Sequence, residues 1–493
     1  MTDRDFDLLL EEEIAALPPT DDLVEDITPW RTAMNRILIG LGLVTITLNF
    51  LLLDTILPAI GHVMLLLGFR ALRKENRWFA LGYGMSILRT AHFLVWLFLD
   101  ATIYHEAAAA LTDWLLFPVI AANLLQILGL TQGIRTVHRK TGSDAYAGGT
   151  TWLLVMNILL TILAFWNYSG FFVLIILIIY ILILRTLWDL SKSLDEAGYT
   201  VEAAPVRISD HTVKRACTLI IFISLAVAYL FLSKYPMDWQ EVQPQSQPEL
   251  RTELEELGFP GYVLDDLTEE DLLACQGAEN VYVQTEELAI NNGVRVSESD
   301  GYHVYIHTEY PVKELLFTHV AVRRGQDDNW LVFHHFLWQE DPFFRGTEAI
   351  KLWPAYTQSE GWSQGTHLSG RVLYDRDSNT YAAPYHSLEE RSYVASSFFG
   401  SSQTTDLIAA FSMPYRGKNC RGYVCYDMET AQPHWSINSW CSYYYQEHPN
   451  YPIQTAADYS MSGFSIGISP FTLRQSALQI WPDELEAATE PAE

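Results

Sequence analysis

Positive charge is scarce in this chain. Its 31 Lys and Arg stand against 59 Asp and Glu, for a formal net charge of −28 over 493 residues. A surface of that sign repels a phosphate backbone, which excludes nucleic acid as a partner. Charge of either sign is thin, at 18% of residues against 49% hydrophobic, a balance that leans toward membrane proteins. Cysteine is rare as well: there are five, none in a CxxC pair, so no metal is expected. The HExxH, phosphate-loop and dinucleotide signatures are missing. Gly463-Phe464-Ser465-Ile466-Gly467 has the GxSxG pattern, but a hydrolase elbow needs a histidine downstream, and the last one is His448. No catalytic residue, cofactor or enzymatic activity is expected.

The average hides three regions. Residues 1–33 carry ten acidic against two basic side chains, residues 34–234 eleven against fifteen, and residues 235–493 thirty-eight against fourteen. The middle region holds the long apolar runs. A helix needs about 20 apolar residues to cross roughly 30 Å of hydrocarbon, and backbone groups in lipid must pair internally. Seven helical spans are expected, at 37–53, 56–69, 79–99, 114–131, 152–166, 171–184 and 217–232. The second is short, and as a re-entrant segment it would reduce the count to six. The first apolar run starts near Ile37, after an acidic stretch, so no cleavable leader is expected.

Basic residues orient the spans, because Lys and Arg gather in cytoplasmic loops. Fourteen of them, from Arg31 to Arg215, fall before the first span or after the second, fourth and sixth. The alternate loops have none, and Lys234 stands alone after the seventh. This places 1–33 inside as an acidic cytoplasmic tail and 235–493 outside. Within the tail, Phe6–Leu17 has an apolar helical stripe, which suits a docking helix or a short helix on the protein's own loops.

Residues 235–248 have a Gln/Pro-rich linker composition, and 249–278 a short helical neck. Ser246 with Glu249, and Thr268 with Asp271, are spaced as capping boxes. From about Asn280 apolar residues recur with period two. About a dozen short strands, among them NWLVFHHFLW and GYVCYDM, predict an all-β sandwich or jelly roll over 279–482. The stretch 483–493 is an acidic tail expected to be disordered.

Several residues invite a functional reading. Arg89 lies about ten residues into the third span, so about 15 Å deep at 1.5 Å per residue. A cation at that depth is expensive and suggests function, with His92, Asn123, Gln126 and Asn157 as its partners; a polar clasp between helices is the structural alternative. Eight Trp fall in the external region, and Trp362 and Trp435 lie in polar surroundings that suit ligand stacking. A hairpin turning at Thr430-Ala431 would set Cys420 opposite Cys441 and allow a disulfide. His303 and His307 share a strand face but lack a third ligand, and His334-His335 point to opposite faces.

The stretch Thr28–Phe79, TPWRTAMNRILIGLGLVTITLNFLLLDTILPAIGHVMLLLGFRALRKENRWF, resembles the membrane region of uncharacterised multi-pass proteins of gut Firmicutes. The neck sequence LGFPGYVLDDLTEEDLLAC resembles a recurring element of the same proteins. The resemblance covers the membrane half and the neck. It implies a bacterial plasma-membrane protein and carries over no catalytic residue. Together these features predict an α-helical bundle of about seven spans in the lipid bilayer, with an extracytoplasmic β domain that binds an unknown ligand or protein partner and relays that event inward. The alternatives are a transporter, or a transport accessory subunit, with a polar site in the bundle, and an external enzyme of unrecognised type.

Overall fold

The computed structural model describes residues 29–46, 52–141, 148–165, 171–196, 199, 201, 208–243, 246–291, 293–299, 304–325, 329–358, 361–397, 400–430, 436–462 and 469–481. The Phe6–Leu17 stripe, His303, the GxSxG segment, Trp435 and the acidic C-terminal tail lie outside them. The chain divides into two compact units, Met1–Leu99 with Glu106–Ala226, and Asp100–His105 with Val227–Glu493.

The first region is helical: α1 (Pro29–Thr45), α2 (Leu53–Leu72), α3 (Arg77–Leu99), α4 (His105–Thr141), α5 (Gly148–Phe165), α6 (Phe171–Glu196) and α7 (Asp210–Leu232). The expected spans 56–69, 79–99, 114–131, 171–184 and 217–232 lie within helices, whereas 37–53 overlaps α1 only through Thr45 and 152–166 overlaps α5 through Phe165, with residues 47–51 and 166 outside the described residues. Among the described residues, three segments are long and apolar enough to cross a membrane: Leu53–Leu72, Trp114–Lys140 and Asp210–Leu232. The short second candidate is therefore a full helix of 20 residues. The expected total of seven does not follow from length and apolarity alone. The α1 helix has only 17 residues and carries Arg31 and Arg36, and α3 carries Arg77 and Arg89 within its 23. Small residues let these helices approach backbone to backbone. A Cβ on Gly40 of α1 would sit 2.9 Å from the Gly61 carbonyl of α2, and one on Gly129 of α4 would sit 2.8 Å from the Trp78 carbonyl of α3. Trp30, Ile37, Leu65, Phe69, Phe79 and Ile134 fill the resulting core.

The second region is all antiparallel β apart from short helices. Its strands are β1 (Gln240–Glu241), β2 (Ala278–Leu288), β3 (Val294–Ser299), β4 (Val304–Glu309), β5 (Leu315–Arg324), β6 (Asn329–Trp338), β7 (Glu348–Trp353), β8 (Trp362–Arg376), β9 (Asn379–Pro384), β10 (Ser387–Ser397), β11 (Gly400–Phe411), β12 (Lys418–Thr430), β13 (Ile437–Gln446) and β14 (Phe471–Ile480). They form a seven-stranded sheet, β1-β9-β8-β12-β6-β5-β2, a five-stranded sheet, β10-β11-β7-β13-β14, and the separate hairpin β3-β4. Both large sheets contribute to one core that includes Phe317, Trp338, Val424, Leu352, Phe411 and Tyr443. The domain is thus a sandwich, with unequal sheets unlike an eight-stranded jelly roll. Arg376 and Asn379 pair across a two-residue turn whose Asp377 and Ser378 both have positive φ, the twist a tight hairpin needs.

The neck and linker differ from expectation. Helices α8 (Pro248–Glu256), α9 (Gly261–Leu264) and α10 (Glu269–Ala274) lie on the outer face of the seven-stranded sheet. There Leu254, Phe259, Val263, Leu264 and Leu272 pack on Val320, Phe333 and Tyr423. Burial of both faces of the sheet explains why β6, NWLVFHHFLW, is nearly continuously apolar. Residues 240–241 of the linker add an edge strand to β9. The Ser246 box does not form: Gln247 takes the N-cap position without a side-chain bond, and Ser246 Oγ donates instead to Glu269. The second box does form, with Thr268 Oγ1 accepting from the Asp271 N–H at 3.1 Å.

Candidate functional site

Within the helical unit, a cavity of 340 Å³ is lined by Arg89, Asn123, Asn157, Thr45, Thr161 and the apolar Leu41, Val44, Leu116, Ile120 and Leu160. Local sequence explains how the polar groups arrive there. Gly82, Ser86 and Thr90 recur every fourth residue on α3 and form a small, buried face. Against this face α4 brings Gln126, which is wholly buried. The Ser86 hydroxyl donates to the Gly82 carbonyl at 2.8 Å and accepts from Gln126 Nε2 at 2.6 Å. Gln126 Oε1 in turn accepts a hydrogen bond from the Arg89 guanidinium. Asn157 Nδ2 donates to the Leu153 carbonyl at 2.9 Å, and one turn on the Thr161 hydroxyl donates to the Asn157 carbonyl at 2.8 Å. From α1, the Thr45 hydroxyl donates to the Tyr180 hydroxyl at 3.0 Å.

Four of the five expected polar residues therefore meet: Arg89, Asn123 and Asn157 line one cavity, and Gln126 holds Arg89 in place. His92 is the exception. Its Nε2 accepts from Trp96 Nε1 at 2.7 Å along the same helix, and it does not line the cavity. Thr45 and Thr161 were missed, because a lone threonine inside an apolar helix is usually satisfied by its own backbone. Among the described residues, no carboxylate lies within ion-pair distance of Arg89. A half-buried guanidinium held by a neutral amide keeps its net charge available to a ligand, and the cavity combines that charge with amide and hydroxyl groups on an apolar wall.

In the β unit the expectations fare less well. Trp362 is only 8% exposed, and its indole N–H donates to the Ser436 carbonyl at 3.2 Å, so its ring is core and not a stacking platform. The hairpin invoked for Cys420 and Cys441 does not form. β12 pairs with β6 and β8, whereas β13 pairs with β7 and β14 in the other sheet. Both thiols are buried and free, as are those of Cys275 and Cys425, and the partly exposed Cys217 is free as well. His334 and His335 do point to opposite faces. His334 Nδ1 meets His319 Nδ1 at 2.7 Å inside the sandwich, while His335 Nε2 lies 2.9 Å from Asp266 on the outer face. His307 pairs with Glu309 of its own strand at 3.1 Å.

No protein-family model matches the chain, and no curated relative does. Among solved structures, one described as "pH-induced modulation of Streptococcus parasanguinis adhesion by Fap1 fimbriae" is similar over 33% of this chain and 74% of its own, at 10% identity and a TM-score of 0.17. At that score the likeness carries no argument.

Proposed function

We propose that this chain is a multi-pass protein of the bacterial plasma membrane whose helical bundle binds a small amphipathic anion at Arg89, as a transporter or the membrane subunit of one. The observation that carries this reading is the Arg89 cavity. A cation placed at mid-helix, without a carboxylate partner among the described residues, beside amides and hydroxyls, is suited to a carboxylate or phosphate. The apolar wall suits a short hydrocarbon portion, and 340 Å³ lies within the usual size range of ligand sites.

The reading includes seven spans, a cytoplasmic N-terminus and an extracytoplasmic β unit. Its support is the distribution of Lys and Arg and the resemblance of Thr28–Phe79 to multi-pass proteins. The loop Asp100–His105, free of Lys and Arg, also belongs to the same compact unit as the β strands; its Asp100 carbonyl accepts from the Ile453 N–H at 2.7 Å. Protease shaving of intact cells should remove a C-terminal tag. Survival of the tag would make the span count even or the orientation inverted.

For the cavity, the purified protein in lipid nanodiscs should be stabilised by medium-chain carboxylates and alkyl phosphates, and not by amides or alcohols of equal length. Arg89→Leu should keep the fold and abolish that stabilisation. Equal stabilisation by neutral and anionic ligands, or an unchanged response in Arg89→Leu, would defeat the proposal.

A second reading places recognition in the β unit. It rests on the β3-β4 hairpin, which pairs with neither large sheet and exposes Tyr305, Ile306 and Tyr310. Replacing Tyr305 and Ile306 by Ser should then weaken binding of the purified chain to glycan or cell-envelope fragments while leaving anion binding untouched.

A further inference from the structure

The outer face of the seven-stranded sheet, beneath the neck, gathers three metal-binding donors that sequence spacing does not announce. Asp271 comes from α10, His367 from β8 and Cys425 from β12. Their ligating atoms all lie within 4.8 Å of one another. Cys425 is the cross-strand partner of Ser369, and His367 lies two residues before Ser369, so all three residues share the face that Asp271 covers.

The strand is shaped to deliver His367. Between Tyr426↔Leu368 and Met428↔Gln364 the register slips, so that three residues of β8 oppose Asp427 alone. Such bulges re-aim a side chain and recur beside functional sites. The Asp427 carboxylate holds the bulge by accepting from the His367 N–H at 2.6 Å. It also fills the space where a side chain on Gly365 would begin, 2.2 Å from that ideal Cβ position.

We propose that Asp271 Oδ1, His367 Nε2 and Cys425 Sγ form a binding site for a divalent transition metal of the zinc class, which ties the neck to the sheet. The donor set of one oxygen, one nitrogen and one sulfur suits zinc or cobalt, and bonds of about 2.0–2.3 Å place tetrahedral ligand atoms roughly 3.3–3.8 Å apart. His367 Nε2 and Asp271 Oδ1 now share a hydrogen bond of 2.7 Å. They must open by less than about 1 Å, and the sulfur, within 4.8 Å of both, needs to close by no more than about 1.5 Å to admit the ion. Binding replaces the proton between Asp271 and His367 and releases the Cys425 thiol proton to solvent, with no change of oxidation state. The Asp271 carboxylate already has the outer support that metal-bound carboxylates require: Oδ2 accepts from the Thr268 hydroxyl at 2.6 Å and from the Tyr423 hydroxyl, and Oδ1 from the Ser369 hydroxyl. His367 is 18% exposed at its side chain and gives the ion a route in.

The test is a cobalt titration of the full chain in detergent. A near-ultraviolet thiolate-to-cobalt band should appear, be displaced by zinc, vanish in Cys425→Ser and persist in Cys275→Ser. His367→Ala should weaken cobalt binding by at least the roughly 10- to 100-fold that loss of an outer-shell partner costs. Should Cys425→Ser fail to fold, the His367 variant decides, since that side chain is partly exposed. Absence of the band, its persistence in Cys425→Ser, or unchanged affinity in His367→Ala would overturn the site.

Discussion

Both units bury large side chains, and they differ in what they expose. In the β unit the largest side chains are inside: Trp330, Trp338, Phe317, Phe333, Phe336, Tyr426 and Tyr443 are fully buried. In the helical region Trp30, Phe69, Phe79 and Tyr180 are buried too, but glycines such as Gly40 and Gly129 bring helices into close contact and many large apolar side chains face out. Trp114 is 80% exposed, and on α7 Leu230 and Phe231 are about three-quarters exposed. Water rewards the first arrangement, because apolar area is what folding removes from it. Lipid does not reward burial of leucine, so helices in lipid associate through close packing of small residues and through polar contacts. The buried Arg345 and the partly buried Arg421 of the sandwich face carboxylates, Arg345 near Glu348 at 3.6 Å and Arg421 on Asp266 at 2.8 Å. Arg89 of the bundle faces a neutral amide. Arg70 of the helical region is also buried and lies 3.8 Å from Asp210, so Arg89 stands apart from it in facing an amide.

Mutation can sharpen this contrast or break it. The largest effect belongs to the sandwich core. Phe336→Ala should cost about 3–5 kcal/mol and lower the denaturation midpoint of the near-ultraviolet signal from the β unit, with helical circular dichroism retained at that midpoint. Simultaneous loss of both signals would show that the units unfold as one.

Acid comes next. Burial holds His319 down at about 3, below its ordinary value of 6.5. Burial and the neighbouring His319 lower His334 as well. Both histidines are neutral in the fold, so the unfolded chain binds more protons, and stability should fall as pH drops from about 6.5 toward 3. Replacing both histidines by Leu should flatten that slope, as followed by acid titration of the tertiary signal.

In the bundle, Gly129→Leu should cost about 1–3 kcal/mol by forcing α3 and α4 apart, with little change in the β unit, as seen by separate thermal probes of each. The smallest effect is at the surface: Lys140→Ala removes a 2.8 Å ion pair with Glu75, and because the lysine is exposed the loss should stay below about 1 kcal/mol and fade with salt.

Much of the layout was legible because it rests on periodicity and composition, which are local. The apolar runs of the first region fall on helices, three of them long and apolar enough to span a membrane among the described residues, and NWLVFHHFLW is a strand with the expected bounds. Three strands were missed, among them the two-residue β1 inside the expected linker. β9 (Asn379–Pro384) is short. β7 (Glu348–Trp353) occupies the centre of the five-stranded sheet, where Glu348 is buried beside Arg345 and Tyr443, so a charged residue sits where an apolar one would mark a strand. The false disulfide came from assuming that neighbours in sequence pair in space, which the crossing from one sheet to the other defeats.

The sequence by itself determined that there is a helical, lipid-suited region and a β-rich one, and that Arg89 is out of place in an apolar run, because hydrophobic period and charge are properties of a few neighbouring residues. Only the tertiary structure decided that Arg89 shares a cavity with Asn123, Asn157, Thr45 and Thr161. It alone decided that the neck is a third layer of the sandwich, and that Asp271, His367 and Cys425 converge. Those meetings depend on sheet register, a bulge and helix crossings, and residues up to 154 positions apart leave no trace of their contact in the spacing between them.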